Sequence, residues 1–303
     1  MPALRALCVA TVVALVVGML AGCSADSSSS GRLHVVAAEN SWGSITSQLA
    51  GNRADVTSII TNPSTDPHDY EPTAQDARSV AASKLVIMNG AGYDAWAQKL
   101  VDANPDSHRS VLNIGELVGV PTGGNPHQWY SPDSVETFIR TTTARLQRLD
   151  PKNSAYYARQ RQRYETDGLR EYKDLIASIR ARYAGTPIGA SESIVAPLAK
   201  ALGFTMETPE SFLDAIAEGN DPTARDKATV DEQVSGREIK VFVYNSQNST
   251  PDVKRLLDAA RKAAIPVTTV TETLTPAGAT FQAWQSRQLR QLRDALARAK
   301  GAS

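Results

Sequence analysis

Sulfur chemistry is almost absent from this chain. Its 303 residues contain two cysteines, Cys8 and Cys23, and both precede residue 24. A disulfide framework, a zinc–thiolate site and a cysteine nucleophile are therefore excluded for everything after Cys23. Histidine is scarce too, and any imidazole chemistry must use one of four side chains. These four are His34, His68, His108 and His127.

The sequence also lacks an excess of charge of either sign. Thirty-two Lys and Arg residues balance 32 Asp and Glu residues, which gives a formal net charge of zero. Nucleic-acid-binding proteins usually carry a basic surface, so we expect no nucleic-acid partner. Hydrophobic residues make up 42% of the chain and charged residues 21%, which is typical of a folded globular protein. The length suits two domains of about 100–150 residues each.

A long hydrophobic run is missing except at the N-terminus. Arg5 precedes the apolar or small run Val9–Gly22, which is shorter than the ~20 residues of a transmembrane helix but suits a signal peptide. The run ends in Leu-Ala-Gly-Cys at Cys23, which resembles a bacterial lipobox. The resemblance implies cleavage before Cys23 and acylation of that cysteine, for example with palmitate. An ordinary signal peptide with an incidental cysteine is the alternative.

Small polar residues follow the cysteine. The segment Ser24–Gly31 reads Ser-Ala-Asp-Ser-Ser-Ser-Ser-Gly, which is typical of a flexible tether. We therefore predict a lipoprotein signal peptide over 1–22 and a lipid-anchored tether over 23–31. Several acyl chains on Cys23 would hold the protein at the outer side of the cell membrane.

Short β-type runs alternate with helical patterns from residue 33 to residue 300, as in βαβ units. A different pattern covers Asn153–Tyr183, where apolar residues recur every three or four positions. This pattern predicts one helix about 45 Å long that links two halves. The polar, weakly patterned segment Gly219–Gly236 predicts a loop-rich region.

The fold class expected from these patterns is α/β with two Rossmann-like lobes. Each lobe would contain a small, mostly parallel sheet flanked by helices. We place the N-terminal lobe at 32–150, the linking spine helix at 151–185 and the C-terminal lobe at 186–303.

Two histidines lie in similar sequence contexts. His68 follows Pro67 in Asp-Pro-His-Asp-Tyr-Glu-Pro, and His127 follows Pro126 in Asn-Pro-His-Gln-Trp. A preceding proline stiffens the loop, so less conformational entropy is lost when a ligand binds. Neutral imidazole suits Zn²⁺, and also Mn²⁺ when carboxylates complete the coordination shell. A structural or solvated role is the alternative for a single histidine, and we expect it for His34 and His108.

These segments resemble the metal-specific solute-binding lipoproteins of ABC transporters, the cluster A-I family that delivers zinc or manganese. The family's His-x-Tyr-Glu-Pro motif is matched at 68–72, and its Asp-Pro-His-x-Trp motif is matched at 125–129 with Asn in place of Asp. A looser match to a third motif covers 89–96. The resemblance covers nearly all of residues 33–300.

The resemblance implies four metal ligands, two from each lobe. His68 and His127 would come from the first lobe. Glu192 stands where the family takes its third ligand, and Glu272 stands where the family has an aspartate. A surface acid at a helix N-terminus is the alternative for Glu192. Three acidic residues close to His68 are candidates for orienting the imidazoles, namely Asp66, Asp69 and Glu71.

The resemblance further implies a receptor rather than an enzyme. It would capture one divalent transition metal ion, Zn²⁺ or Mn²⁺, and deliver it to an ABC permease that is driven by a cytoplasmic ATPase. We expect a monomer. Three alternatives stay open: a metal-dependent hydrolase with an open coordination position, a surface adhesin, and a receptor for a metal chelate or another solute.

Overall fold

Two parallel four-stranded sheets organise the protein. The computed structural model describes residues 31–65, 67–68 and 70–301, so Cys23, the predicted signal peptide and all but Gly31 of the predicted tether lie outside the described residues. The strands are β1 (Leu33–Glu39), β2 (Ala54–Ile60), β3 (Leu85–Met88), β4 (Ser110–Asn113), β5 (Pro187–Ala190), β6 (Thr205–Met206), β7 (Val241–Asn245) and β8 (Val267–Val270). The strand orders are β2-β1-β3-β4 and β6-β5-β7-β8.

Helices cover the faces of both sheets. They are α1 (Asn40–Ala50), α2 (Ala74–Ala82), α3 (Ala95–Ala103), α4 (Ile114–Val118), α5 (Pro132–Leu149), α6 (Ser154–Arg163), α7 (Arg170–Tyr183), α8 (Ala196–Leu202), α9 (Glu210–Ala217), α10 (Ala224–Ser235), α11 (Pro251–Lys262) and α12 (Phe281–Gly301). Every pairing between the strands is parallel. The predicted α/β fold class with two parallel sheets is confirmed.

The central strands are hydrophobic on both faces because helices cover both faces. All four residues of β3 are buried, as are the last five of β1. This is the pattern expected of parallel strands that lie inside an α/β layer. Since parallel strands end at the same edge, the loops that follow them converge there.

The predicted spine is helical but is not one continuous α-helix. A π-helical turn over Tyr164–Gly168 separates α6 from α7, and the Leu169 N–H donates to the Tyr164 carbonyl at 2.8 Å. Tyr164 and Leu169 are both buried and lie five residues apart. One π-turn spans that spacing, so both side chains stay on the inner face.

The prediction of a loop-rich segment over Gly219–Gly236 is wrong, because α10 occupies most of it. The Thr223 hydroxyl accepts a hydrogen bond from the Asp226 N–H at 3.1 Å and thereby caps the helix. Val230 and Val234 are buried in a core cluster that they share with α11. Two buried residues at i and i+4 are too few to produce a visible amphipathic pattern, but they are enough to dock a short helix.

A continuous core joins the two sheets. From Leu33 onward the described residues form one compact unit. The largest buried cluster includes Val35 of β1 and Val243 of β7, together with the aromatic side chains of Trp42, Trp129 and Trp284. Within the described part of the chain, none of the helices combines the length and apolar character needed to cross a membrane.

Candidate metal centre

Residues from three loops and from the end of one strand meet at the carboxyl ends of the strands. His127 lies in the connection between α4 and α5, Glu192 follows β5, Asn245 ends β7 and Glu272 follows β8. The two carboxylates therefore come from one sheet and the imidazole comes from the loops of the other. The carboxyl ends of parallel strands commonly form ligand sites in α/β proteins.

Three potential metal ligands converge at this edge. Ligand atoms of His127, Glu192 and Glu272 all lie within 4.8 Å of one another. His127 and Glu192 are 2% and 1% exposed, and Glu272 is half-buried. Donors that share one zinc ion at about 2.1 Å stand roughly 3–4 Å apart, so a small contraction would complete the arrangement.

His68, the other predicted ligand, is not part of this group of three. It is exposed, and its ring centroid lies 4.8 Å from that of Tyr93 in an edge-to-face contact. The Tyr93 hydroxyl donates to Glu272 Oε2 at 2.8 Å. His68 therefore lies beside the cluster and lines a cleft that Glu272 also lines.

The acidic residues considered for orienting the imidazoles do not occupy a described position at the site. Asp66 and Asp69 lie outside the described residues, and Glu71 is exposed. Among the described residues, Asn125 contacts His127, with its Oδ1 atom 3.0 Å from both His127 N and His127 Nδ1.

Asn125 also determines which nitrogen of His127 faces the cluster as a lone-pair donor. Its Nδ2 atom donates to the Ser193 carbonyl at 2.7 Å. Because that carbonyl can only accept, the amide oxygen of Asn125 must face His127 Nδ1, which therefore carries the proton. The Nε2 atom is then the ring nitrogen with a free lone pair, as a metal ligand requires.

Burial keeps His127 neutral. Desolvation is the main cause that lowers the pKa of His127 to about 3, and repulsion from the charged form of His68 lowers it further. A neutral imidazole is the form that binds metal, so His127 needs no deprotonation step at neutral pH.

Two asparagines hold the carboxylates in place. Asn245 Nδ2 donates to Glu192 Oε1 at 2.5 Å and to Glu272 Oε1 at 2.9 Å, and Asn248 Nδ2 donates to Glu192 Oε2 at 2.7 Å. These donors are neutral, so they position the two acids without cancelling their charge. Two ionised carboxylates this close repel each other, and a dication between them would relieve that repulsion.

Gln247 supports the same loop from the backbone side. Its Oε1 atom accepts from the N–H groups of Glu272 at 2.5 Å and Thr273 at 3.0 Å. Sequence reasoning missed Asn245, Gln247 and Asn248. The signal available was an amide-rich segment, Asn-Ser-Gln-Asn over 245–248, at the end of the hydrophobic run that forms β7.

A pair of buried acids supports the His127 loop from behind. Both carboxyl groups, Glu39 and Asp94, are buried, and they lie close enough for the charge of Asp94 to act on Glu39. Burial raises the pKa of both groups, and the charge of Asp94 raises that of Glu39 further. Asp94 accepts from the N–H groups of Asn89 and Gly90, and Asn89 Nδ2 donates to the carbonyl of Pro126, directly before His127.

Fold and site together define a class: an α/β binding protein with two parallel sheets, in which imidazole and carboxylate donors meet at the carboxyl ends of the strands. The family model for ZnuA, described as zinc-uptake complex component A, periplasmic, matches residues 35–295. The chain belongs to the ZnuA family. The predicted family, metal-specific solute-binding proteins of ABC transporters, is thereby confirmed, and it is a family of binding proteins rather than of known enzymes.

Curated relatives share this description. The manganese ABC transporter substrate-binding lipoprotein PsaA of Streptococcus mitis is 28% identical over 261 residues, which cover 79% of this chain and 82% of PsaA. The metal ABC transporter substrate-binding lipoprotein FimA of Streptococcus parasanguinis is 32% identical over 49% of this chain and 54% of FimA. The iron-binding protein YfeA of Yersinia pestis is 30% identical over 53% of each chain. The chain thus spans about half the length of FimA and YfeA.

Solved structures agree on the fold. The Mn-bound S38A mutant of a periplasmic metal-binding protein from Candidatus Liberibacter asiaticus superposes with a TM-score of 0.75 at 20% identity, covering 88% of this chain and 100% of that one. The Ni²⁺ complex of FpvC from P. aeruginosa gives a TM-score of 0.70 at 20% identity, covering 88% and 98%.

Proposed function

We propose that this protein captures one divalent transition metal ion, Zn²⁺ or Mn²⁺, as the cargo of an ABC importer. The convergence of His127, Glu192 and Glu272 within 4.8 Å is the observation that supports this most strongly. One neutral imidazole and two carboxylates suit either ion, and the two carboxylates balance the charge of the dication. The names of the relatives, which assign manganese and iron, agree with a transition metal cargo.

The proposed ligands are His127 Nε2, Glu192, Glu272 and, from the open side of the cleft, His68. The first three are held by hydrogen bonds to residues that are not themselves ligands. His68 contacts Tyr93, which in turn donates to Glu272. The ion would therefore join donors from both lobes, so that its binding favours one arrangement of the lobes.

The proposed cellular setting follows from the family and from the N-terminus. Acylated Cys23 anchors the protein outside the cytoplasmic membrane after removal of residues 1–22, and residues 23–31 act as a tether. The monomer passes the ion to a permease that works with a cytoplasmic ATPase. The division into lobes at 32–150 and 186–303 with a linker at 151–185 belongs to the same proposal.

Metal stoichiometry tests the proposal directly. Protein purified without added metal should contain, or bind from Zn²⁺ or Mn²⁺ solutions, one ion per chain as measured by elemental analysis. His127→Ala should remove most of this binding. The matched control is His34→Ala, since His34 is exposed in β1 at the opposite, amino end of the strands. Unchanged binding by His127→Ala, or no stoichiometric ion in the parent, would refute the function.

A further inference from the structure

The side chain of Gln247 crosses the cleft between the two lobes. Its Nε2 atom donates to the carbonyl of Pro63 at 2.7 Å and to Thr273 Oγ1 at 2.7 Å. Pro63 lies in the segment after β2 that also carries His68, whereas Gln247 lies in the loop after β7. One neutral side chain therefore connects the loop of a proposed ligand in the first lobe with the C-terminal lobe.

The cleft at this point is a defined space of about 290 Å³. One wall is formed by the segment that contains Pro63 and His68, and the other wall contains Gln247, Glu272 and Thr273. Gln247 bridges these walls next to the proposed metal centre. Its half-buried position leaves the bridge accessible to water, so the bridge has the modest strength of a single solvent-accessible hydrogen bond.

Contacts within the first lobe hold the same segment from the other side. Trp96 Nε1 donates to the Pro67 carbonyl at 3.0 Å, and the ring of His68 rests against Tyr93. These contacts place His68 relative to its own lobe. Tyr93 also donates to Glu272 Oε2, so the ring contact is one link from His68 to the opposite wall and Gln247 supplies a second link.

The oxygen and the nitrogen of the Gln247 amide both form hydrogen bonds, so the side chain links two positions. The oxygen accepts from the backbone N–H groups of Glu272 and Thr273, while the nitrogen reaches Pro63. The amide group is planar, so the Pro63 carbonyl and the Glu272 backbone keep a set separation as long as all these bonds persist. A displacement of one wall is transmitted to the other.

We propose that Gln247 is a positioning residue that holds the His68 segment against the C-terminal lobe and so determines how strongly His68 contributes to metal binding. This inference rests on the proposed function. His68 lies beside the cluster of three and must bind from there, and a donor that is already held near its final position loses less entropy on binding. Gln247 itself touches no metal in this proposal.

A double-mutant cycle between Gln247 and His68 tests the inference. Gln247→Glu keeps an oxygen for the N–H groups of Glu272 and Thr273 but removes the Nε2 donor, so it breaks the bridge to Pro63 together with the hydrogen bond to Thr273 Oγ1. The Zn²⁺ dissociation constant would be measured by competition with a chromophoric chelator for the parent, Gln247→Glu, His68→Ala and the double variant. The effect of the added charge on the ion is common to both backgrounds and cancels in the coupling, provided that the new carboxylate does not contact His68 itself.

We expect coupling of about 2- to 10-fold, the range of one net hydrogen bond. Gln247→Glu should weaken Zn²⁺ binding more when His68 is present than when it is absent. The same substitution at exposed Gln98, which contacts Asp102 on α3, is the control and should show no coupling to His68→Ala. Thermal melting of each metal-free variant verifies that all are folded.

The inference would be overturned if Gln247→Glu weakened Zn²⁺ binding by the same factor with and without His68. Gln247 would then support the Glu272 loop alone. That result would leave the proposed function intact, since the parent would still bind the ion. Failure of the parent to bind Zn²⁺ or Mn²⁺ would instead refute the function on which the inference rests.

Discussion

The two halves of the candidate centre differ in the charge that their ligand side chains can carry and in the groups that hold them. The loops of the first sheet contribute His127, which burial keeps neutral and Asn125 orients. The loops of the second sheet contribute the carboxyl groups of Glu192 and Glu272, which the neutral amides of Asn245 and Asn248 hold. Burying a neutral imidazole is cheap, whereas burying carboxylates costs free energy unless a cation or strong donors compensate. A bound cation would therefore stabilise the carboxylates of the second half more than the imidazole of the first.

The largest expected effect comes from removing charge in the second half. Glu192→Gln should weaken Zn²⁺ or Mn²⁺ binding by more than the roughly 10–100-fold typical of changes outside the coordination shell. The same substitution should raise the melting temperature of the metal-free protein, because it removes the repulsion between two close carboxylates. Calorimetric titration and thermal melting would measure the two effects.

The exposed Glu232 on α10 offers the matched control for that experiment. Glu232→Gln should change neither the metal affinity nor the melting temperature appreciably. A different result for Glu192→Gln would contradict the comparison. If that variant lowered both the metal affinity and the melting temperature of the metal-free protein, the two carboxylates would not be the source of repulsion in the empty site.

A smaller effect is expected from the partner of His127 in the first half. Asn125→Ala removes the acceptor for His127 Nδ1 and should weaken metal binding by about 10–100-fold. Asn125→Asp keeps that acceptor and should bind within a few-fold of the parent, although it loses the donor to Ser193. Competition titrations would measure the metal affinity of both variants. Equal losses in the two variants would assign the effect to the Ser193 contact instead.

The smallest expected effect concerns stability and its dependence on pH. Burial raises the folded-state pKa of Glu39 well above its ordinary value, so the folded protein binds the proton more tightly than the unfolded chain does. The stability contributed by this proton is complete below the ordinary pKa and is lost as the pH rises towards the raised value. Each unit between the two pKa values corresponds to about 1.4 kcal/mol.

Glu39→Gln should therefore reduce the loss of stability between pH 5 and pH 8, with little change at pH 5. Chemical denaturation of metal-free protein at three pH values would measure the free energy of unfolding of each variant. The control is Glu238→Gln, at an exposed position. Parallel stability profiles for the parent and Glu39→Gln would show that the buried acid pair does not influence folding. The support behind the His127 loop would then lie elsewhere.

Much of the fold could be predicted because its signals are local. The strands β1, β3 and β7 are short hydrophobic runs bounded by polar or turn residues, and such runs predict buried parallel strands. The errors arose where the local signal was weak. In the spine, a five-residue step from Tyr164 to Leu169 required a π-turn, and α10 carries few buried side chains.

The candidate ligands could be named from the sequence because each stands in a recognisable segment. The sequence did not indicate which of them lie close together. His127, Glu192 and Glu272 lie close together, while exposed His68 remains beside them. The assignment of all four as metal ligands stays a prediction. The amide-bearing residues that hold the site had no such segment of their own, apart from Asn125.

The amino-acid sequence by itself determined the α/β class, the scarcity of imidazole and sulfur donors, and which residues could serve a metal. The tertiary structure alone decided which side chains hold those residues in place. The physical reason is distance along the chain: Tyr93 reaches Glu272 across 179 positions, and Gln247 reaches Pro63 across 184. Periodicity and propensity act over one or two turns of chain, whereas such contacts exist only after both sheets have packed into a common core.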